Sequence, residues 1–165
     1  MNNIIFDYIS VVPALFFFSL IYSFLVFNRK NDLLLLLWLC FATLFSEIIK
    51  LIPHHKSLDW LIKRPNGAKN IDLLSRNGLT LSNGFPSSHM TVTTLYCSYL
   101  IMRNIHNKSK YINRIIVFHI ILIILMGLSR YFKKAHNIYQ IIGGIILGYV
   151  IALIAFRINK KIDFI

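Results

Sequence analysis

The chain has 165 residues, of which 18 are lysine or arginine and only six are acidic, so its formal net charge is +12. Apolar residues make up 56% of the sequence, and the mean hydropathy is +0.63. These values exclude an ordinary soluble domain, and the length leaves room for a single folded unit. We therefore expect one all-α membrane domain, residues 1–165, built as a helical bundle.

Five stretches of the sequence are candidates for membrane-spanning helices. Four are long and apolar enough to cross a bilayer, which requires about 20 residues. They are residues 4–27, 33–52, 115–132 and 138–156. Residues 86–103 form a fifth and weaker stretch, whose hydroxyl side chains indicate a helix packed against other helices rather than lipid. We therefore predict about five spans and one longer loop, residues 53–86.

The basic residues fall equally on the two faces of such a bundle, nine on each. One face carries its nine in short connections and in the C-terminal tail. Lysine and arginine concentrate in short cytoplasmic loops, so this distribution predicts that the face is cytoplasmic. The loop 53–86, and any site formed there, is then expected on the non-cytoplasmic face.

A group of polar residues falls at span ends and connections on that second face. They are Lys50, Arg64, Ser87, Ser88, His89, Arg130 and His136. Cations and imidazoles at a membrane boundary, without matching carboxylates, indicate an anionic ligand. Phosphate suits them because arginine presents a fork to phosphate oxygens, and because a helix that begins after Pro86 directs backbone amides at an anion.

Three motifs carry these residues, in the order Arg64-Pro65, then Pro86-Ser87-Ser88-His89, then Ser129-Arg130 followed by His136. Their order and their positions at span ends resemble the signature of the type 2 phosphatidic acid phosphatase superfamily, over about residues 47–148. The resemblance implies a metal-free, cofactor-free displacement at phosphorus, with His136 as nucleophile and His89 as general acid. The groups implied to hold the phosphoryl oxygens are Arg64, Arg130, Ser87, the Ser88 backbone amide and a lysine of the first motif.

Three positions depart from the family's usual pattern. Ser88 stands where the family usually has glycine, and Gln140 stands where it usually has aspartate. One helical turn separates His136 from Gln140, so the amide carbonyl can still accept a hydrogen bond from the imidazole and fix its tautomer. The usual lysine position of the first motif holds a serine, and we prefer Lys50, at a span end, over Lys56.

The resemblance implies a phosphatase that hydrolyses the phosphate or diphosphate of a lipid through a phosphohistidine. Isoprenyl or dolichyl diphosphate and phosphatidate are the substrate types considered, and Ser88 with Gln140 resembles the dolichyl diphosphatase branch. The expected partners are the lipid substrate and membrane lipids, with no nucleic acid. Transfer to an acceptor other than water stays open. The alternative function is a catalytically inactive member that binds phospholipid headgroups or serves as a membrane scaffold.

Two further patterns have structural interpretations. Gly144 and Gly148 have the spacing of small residues at close helix contacts, which we expect inside the domain rather than in a dimer. His54 and His55 are adjacent in a polar connection, where we expect no metal site.

Overall fold

The computed structural model describes residues 4–66, 68 and 83–162, and within them the chain is helical. The long helices are α1 (Ile4–Phe27), α2 (Lys30–Leu51), α4 (Ser88–His106), α5 (Ile112–Phe132) and α6 (Ile138–Ile162). Between α2 and α4 lie a 3-10 turn, Lys56–Leu58, and the four-residue helix α3 (Asp59–Ile62). The all-helical class and the membrane bundle predicted from the sequence are therefore confirmed.

Helix α4 lies at the centre of the bundle and packs against α1, α2, α5 and α6. Its buried residues include Thr91, Thr93 and Thr94, which face neighbouring helices rather than lipid. The other four long helices have the length and hydropathy of membrane spans. Helix α4 can be more polar than they are because its neighbours shield it from the bilayer.

Helix α6 approaches α4 closely at two glycines. A Cβ added to Gly144 would lie 2.6 Å from the Ser87 carbonyl oxygen, and one added to Gly148 would lie 2.4 Å from the Thr91 carbonyl oxygen. Both obstacles are backbone atoms, so a side chain at either position would push the two helices apart. The structure thus places this small-residue contact inside the domain, as the glycine spacing predicts.

Because successive long helices alternate in direction, each end of the bundle collects particular helix termini. The C-terminal ends of α2 and α5 and the N-terminal ends of α4 and α6 lie together. We call this the motif end, since all three motifs lie there. The opposite end holds the α1–α2 connection and the C-terminal ends of α4 and α6.

The predicted loop 53–86 lies partly outside the described residues. Its described part contains the 3-10 turn and α3 where we expected only a loop. An antiparallel bridge between Lys63 and Asn83 closes the base of the connection. The Asn83 side chain donates a hydrogen bond to the Lys50 carbonyl oxygen at 2.7 Å. The residues that precede the first and second motifs are therefore joined through the backbone, and the Asn83 side chain joins them to the end of α2.

Candidate active site

His136 lies in the turn between α5 and α6 and is only 3% exposed. The turn is tight because Lys134 adopts a left-handed conformation, with φ 53°. The backbone amides of Ala135 and His136 both donate to the carbonyl oxygen of Arg130, at 3.1 and 3.3 Å. Arg130, at 1% exposure, is therefore held beside His136 although six residues separate them in the sequence.

Gln140 fixes the tautomer of His136. Its Nε2 donates to the carbonyl oxygens of Leu61, Ile62 and Lys63, at 3.1, 3.1 and 2.8 Å, and this sets the orientation of the amide. Oε1 must then accept the hydrogen bond of 3.1 Å that joins it to His136 Nδ1. Nδ1 accordingly carries the proton, and Nε2 of a neutral imidazole keeps its lone pair.

The same amide docks the first motif. The two hydrogens of Gln140 Nε2 are shared among the carbonyl oxygens of residues 61–63. The last of these, Lys63, immediately precedes Arg64. Asn137 adds a parallel bond, from its Nδ2 to the Trp60 carbonyl oxygen at 2.9 Å. Its Oδ1 accepts a hydrogen bond from the backbone N–H of Gln140 at 2.9 Å. The first turn of α6 therefore positions the backbone from which Arg64 extends.

Gly84 lets the second motif close over this contact. A Cβ on Gly84 would lie 2.5 Å from Gln140 Oε1 and 2.7 Å from Arg64 Cγ. The Gly84 amide donates to the Ile62 carbonyl oxygen at 2.6 Å. The missing side chain thus allows Arg64, Gln140 and the second motif to meet.

The start of α4 completes the cluster. The Ser87 amide donates to the Gln140 carbonyl oxygen at 3.0 Å, which joins the second motif to the third. The Ser87 hydroxyl is buried and makes no hydrogen bond within the described part of the chain. Ser87 is the N-cap of α4 but its side chain does not cap the helix, and half-buried His89 lies in the first turn. A buried hydroxyl without a partner beside a helix N-terminus suits an anionic ligand.

Lys50 belongs to the cluster and Lys56 does not. Lys50 is 4% exposed, and its Nζ donates to the Ser88 hydroxyl and to Glu47 Oε1, both at 2.6 Å. The Ser88 hydroxyl donates in turn to the same Glu47 oxygen at 2.6 Å. Lys56 lies exposed in the 3-10 turn. The hydroxyl group of Ser88, at the position where the family usually has glycine, therefore forms a hydrogen bond with Lys50.

Glu47 is a charged residue of this cluster that the sequence analysis missed, as it also missed Asn137 and Gly84. Glu47 precedes Lys50 by three residues, a common spacing for ion pairs on a helix, so the sequence could have predicted this pair. Its bond to Ser88, 41 positions away, depends on the packing of α2 against α4 and has no sequence signature.

Burial and neighbouring cations keep His136 neutral. Burial lowers its pKa well below the ordinary histidine value, and the charges of Arg64, Arg130 and Lys50 lower it further. The hydrogen bond to Gln140 acts in the opposite direction but does not outweigh them. Three cations therefore act on one buried imidazole, in surroundings that an anion would neutralise.

The structure thus brings predicted residues of all three motifs together in one cluster with His136. They are Lys50, Arg64, Ser87, Ser88, Arg130 and Gln140. His89 directly follows Ser88 in the first turn of α4. His54, by contrast, contacts Asp59 at 2.9 Å in the connection before α3. Over the described ranges, no three His, Cys, Asp or Glu side chains are grouped as a metal site would need.

Comparison with known proteins gives a structural match and a family match. None of the curated proteins searched matches the chain. Its fold is similar to a solved structure described as the first transmembrane PAP2 type phosphatidylglycerolphosphate phosphatase from Bacillus subtilis, with a TM-score of 0.73 and 19% sequence identity. The similarity covers 97% of this chain and 77% of that one. A family model for the PAP2 superfamily matches residues 33–163, and the chain, an integral membrane protein, therefore belongs to that superfamily.

Proposed function

We propose that this protein is a membrane-embedded phosphatase that hydrolyses the phosphate or diphosphate group of a lipid through a phosphohistidine at His136. One observation carries the proposal. A buried, neutral imidazole is held by Gln140 so that Nε2 keeps its lone pair, within the field of Lys50, Arg64 and Arg130. Membership of a phosphatase superfamily supports the same reaction class.

The reaction has two displacements at phosphorus. In the first, His136 Nε2 forms a bond to phosphorus while the bond to the leaving oxygen breaks, and His89 donates a proton to that oxygen. In the second, His89 takes a proton from water as the water oxygen attacks phosphorus. The phosphorus–nitrogen bond then breaks, and phosphate and free His136 are released.

The remaining residues stabilise charge. The side chains of Lys50, Arg64 and Arg130 neutralise the non-bridging oxygens as negative charge redistributes in each transition state. The Ser87 hydroxyl and the first free amides of α4 add hydrogen-bond donors. These donors are positioned before substrate arrives, by the Gln140 and Glu47 contacts, so little reorganisation accompanies the reaction.

A lipid substrate follows from the position of the cluster at the ends of membrane-spanning helices. A phosphate bound there lies at headgroup depth, while its hydrocarbon tail can stay in the bilayer. Ser88 and Gln140, which resemble the dolichyl diphosphatase branch, favour an isoprenyl diphosphate, and phosphatidate is the second substrate type. The charge distribution favours the non-cytoplasmic face for this site.

Phosphate release by the purified protein in detergent tests the function. The substrates are an isoprenyl diphosphate, phosphatidate and glucose 6-phosphate, each with a chelator and without added metal. We expect release from the lipids and unchanged rates in chelator, because side-chain cations replace a metal in neutralising phosphate. Loss of activity in chelator that magnesium restores would contradict the metal-free mechanism. Binding of lipid phosphates without any release would indicate an inactive headgroup-binding protein.

Substitution of Gln140 separates its two contacts. Gln140→Ala is expected to lower kcat/KM by roughly ten- to a hundredfold, the scale for a group that orients a reacting residue. Gln140→Glu keeps an oxygen facing His136 but replaces the Nε2 donors with an oxygen facing three carbonyl oxygens, which repel it. We expect it to lose at least as much activity as Gln140→Ala. A Gln140→Glu enzyme with wild-type kcat/KM would show that docking of residues 61–63 is unimportant.

A further inference from the structure

The opposite end of the bundle, away from His136, contains a cavity of about 420 Å³. It lies between the start of α2 and the C-terminal ends of α4 and α6. Its volume falls within the range of small-ligand sites, about 300–1,000 Å³. The acidic, basic and imidazole side chains that line it are Arg29, Lys30, Asp32, Arg103, His106 and Lys160.

The lining of this cavity is strongly cationic. It contains four lysine or arginine side chains and one carboxylate, Asp32. Asp32 is 5% exposed and already accepts hydrogen bonds from Arg103, at 2.8 Å, and from the Ser23 hydroxyl. The Asp32 carboxylate is therefore paired with Arg103. The other three cations of the lining keep the electrostatic potential of the cavity positive.

The start of α2 strengthens that field. Arg29 is the N-cap of α2, and its side chain does not cap the helix, so the first amides of the helix have no side-chain acceptor from that residue. A helix N-terminus carries a partial positive charge and favours anions. Here it adds to lysine and arginine side chains that come from three different helix ends.

The wall of the cavity is built from buried polar contacts. Tyr99, which lines the cavity, accepts a hydrogen bond through its hydroxyl from Asn159 Nδ2 at 2.9 Å. The Asn159 Oδ1 accepts in turn from the Trp38 indole at 3.3 Å. These bonds link α2, α4 and α6 beneath the cations, so the cavity has a fixed wall.

We propose that this cavity binds a phosphate group, as the headgroup of an anionic phospholipid or as free phosphate. It is distinct from the His136 site, because the 19 residues of α4 separate the two ends by roughly 28 Å at 1.5 Å per residue. The cavity lies at the ends of helices with the length and hydropathy of membrane spans, a position that suits the headgroup of an anionic lipid. None of its lining groups takes part in the proposed hydrolysis.

Fluorescence of Trp38 provides the test. The sequence holds two tryptophans, so Trp60→Phe leaves Trp38 alone, in α2 and about 12 Å along the axis from Lys30. This variant is placed in phosphatidylcholine nanodiscs, which expose both ends of the bundle. Brominated phosphatidylglycerol or brominated phosphatidylcholine is added as quencher. We expect half-maximal quenching at a roughly fivefold lower mole fraction of phosphatidylglycerol, the effect of about one nearby cation.

A second arm tests free phosphate. Sodium phosphate is added at constant ionic strength to the same variant in phosphatidylcholine nanodiscs, and Trp38 emission is followed. Preferential quenching by phosphatidylglycerol that phosphate does not reduce assigns the cavity to lipid headgroups. A change in emission with phosphate, without any lipid preference, assigns it to free phosphate.

Matched variants decide whether the cavity is responsible. Lys30→Gln with Lys160→Gln removes two exposed lining cations and should abolish whichever response is observed. Lys110→Gln with Lys161→Gln removes the same charge from the same end, outside the cavity lining, and should preserve the response. Equal loss in both double variants, or no response in either arm, would overturn the proposal. Thermal unfolding confirms that each variant is folded.

Discussion

His136→Ala is expected to abolish phosphate release, by roughly four to six orders of magnitude, the scale for loss of a nucleophile. The variant lacks the nitrogen that attacks phosphorus, and water has no other activated position in the proposed site. Phosphate release measured at saturating lipid substrate gives the effect. His55→Ala is the matched control, because that imidazole is exposed and bonds to Ser57 at the 3-10 turn, outside the cluster around His136. It should retain wild-type turnover.

The proposed phosphohistidine intermediate provides a second, independent test of His136. A lipid substrate labelled in its phosphate should leave label on denatured wild-type protein, as an acid-labile and alkali-stable phosphoramidate. His136→Ala protein should carry no label. Turnover by the His136→Ala enzyme, or a label that persists in it, would show that another group is the nucleophile.

The pH profile should reflect the low pKa of His136. Burial and three nearby cations lower this pKa, so the imidazole stays neutral and nucleophilic below the usual histidine titration range. Protonation blocks attack, so activity that depends on neutral His136 is lost only as pH falls through this lowered pKa. The acid limb of kcat/KM is therefore expected below the ordinary value of about 6.5.

Length and hydropathy were sufficient to predict the bundle. The four apolar runs correspond to α1, α2, α5 and α6, because a bilayer imposes a minimum length of apolar helix. The fifth span depended on a different signal, hydroxyl residues after a proline, and the structure places that helix at the centre of the bundle. The threonines that lower the hydropathy of this helix are buried against neighbouring helices.

Helix α3 could not be predicted in the same way. It has four residues and no apolar period long enough to recognise. Its position depends on side chains of Asn137 and Gln140, more than 70 residues later, bonding to its carbonyl oxygens. Every residue type has a backbone carbonyl oxygen, so a bond to that oxygen does not require a particular amino acid at its position. The sequence could therefore predict that Gln140 contacts His136, but it could not predict that Gln140 contacts residues 61–63.

Lys50 and Lys56 have different surroundings in the structure, which motif spacing could not show. Motif spacing alone left Lys50 and Lys56 as alternatives, since neither stands at the family's usual position. Because α2 continues to Leu51, Lys50 lies on a helix whose direction is fixed by packing against α4, and it contacts Ser88. Lys56 follows the end of that helix and lies in an exposed turn.

Lys50→Met is expected to lower kcat/KM by about 10²–10³-fold, the usual cost of removing one group that stabilises transition-state charge. Part of this loss comes from Glu47, whose carboxylate would lose its partner at 2.6 Å and would then repel the substrate phosphate. Adding Glu47→Gln to Lys50→Met should therefore restore part of the lost kcat/KM.

Lys56→Met is the matched control for this cycle, because it removes the same charge from a residue outside the cluster, and it should keep wild-type kcat/KM.

Glu47→Gln alone should change kcat/KM less than Lys50→Met does, because Lys50 keeps its bond to Ser88 and its charge. The four kcat/KM values then give the coupling energy between Glu47 and Lys50. Additive effects of the two substitutions, with no recovery in the double variant, would show that Glu47 does not act through Lys50. A large loss in Lys56→Met with little loss in Lys50→Met would instead move the phosphate-binding lysine to the connection before α3.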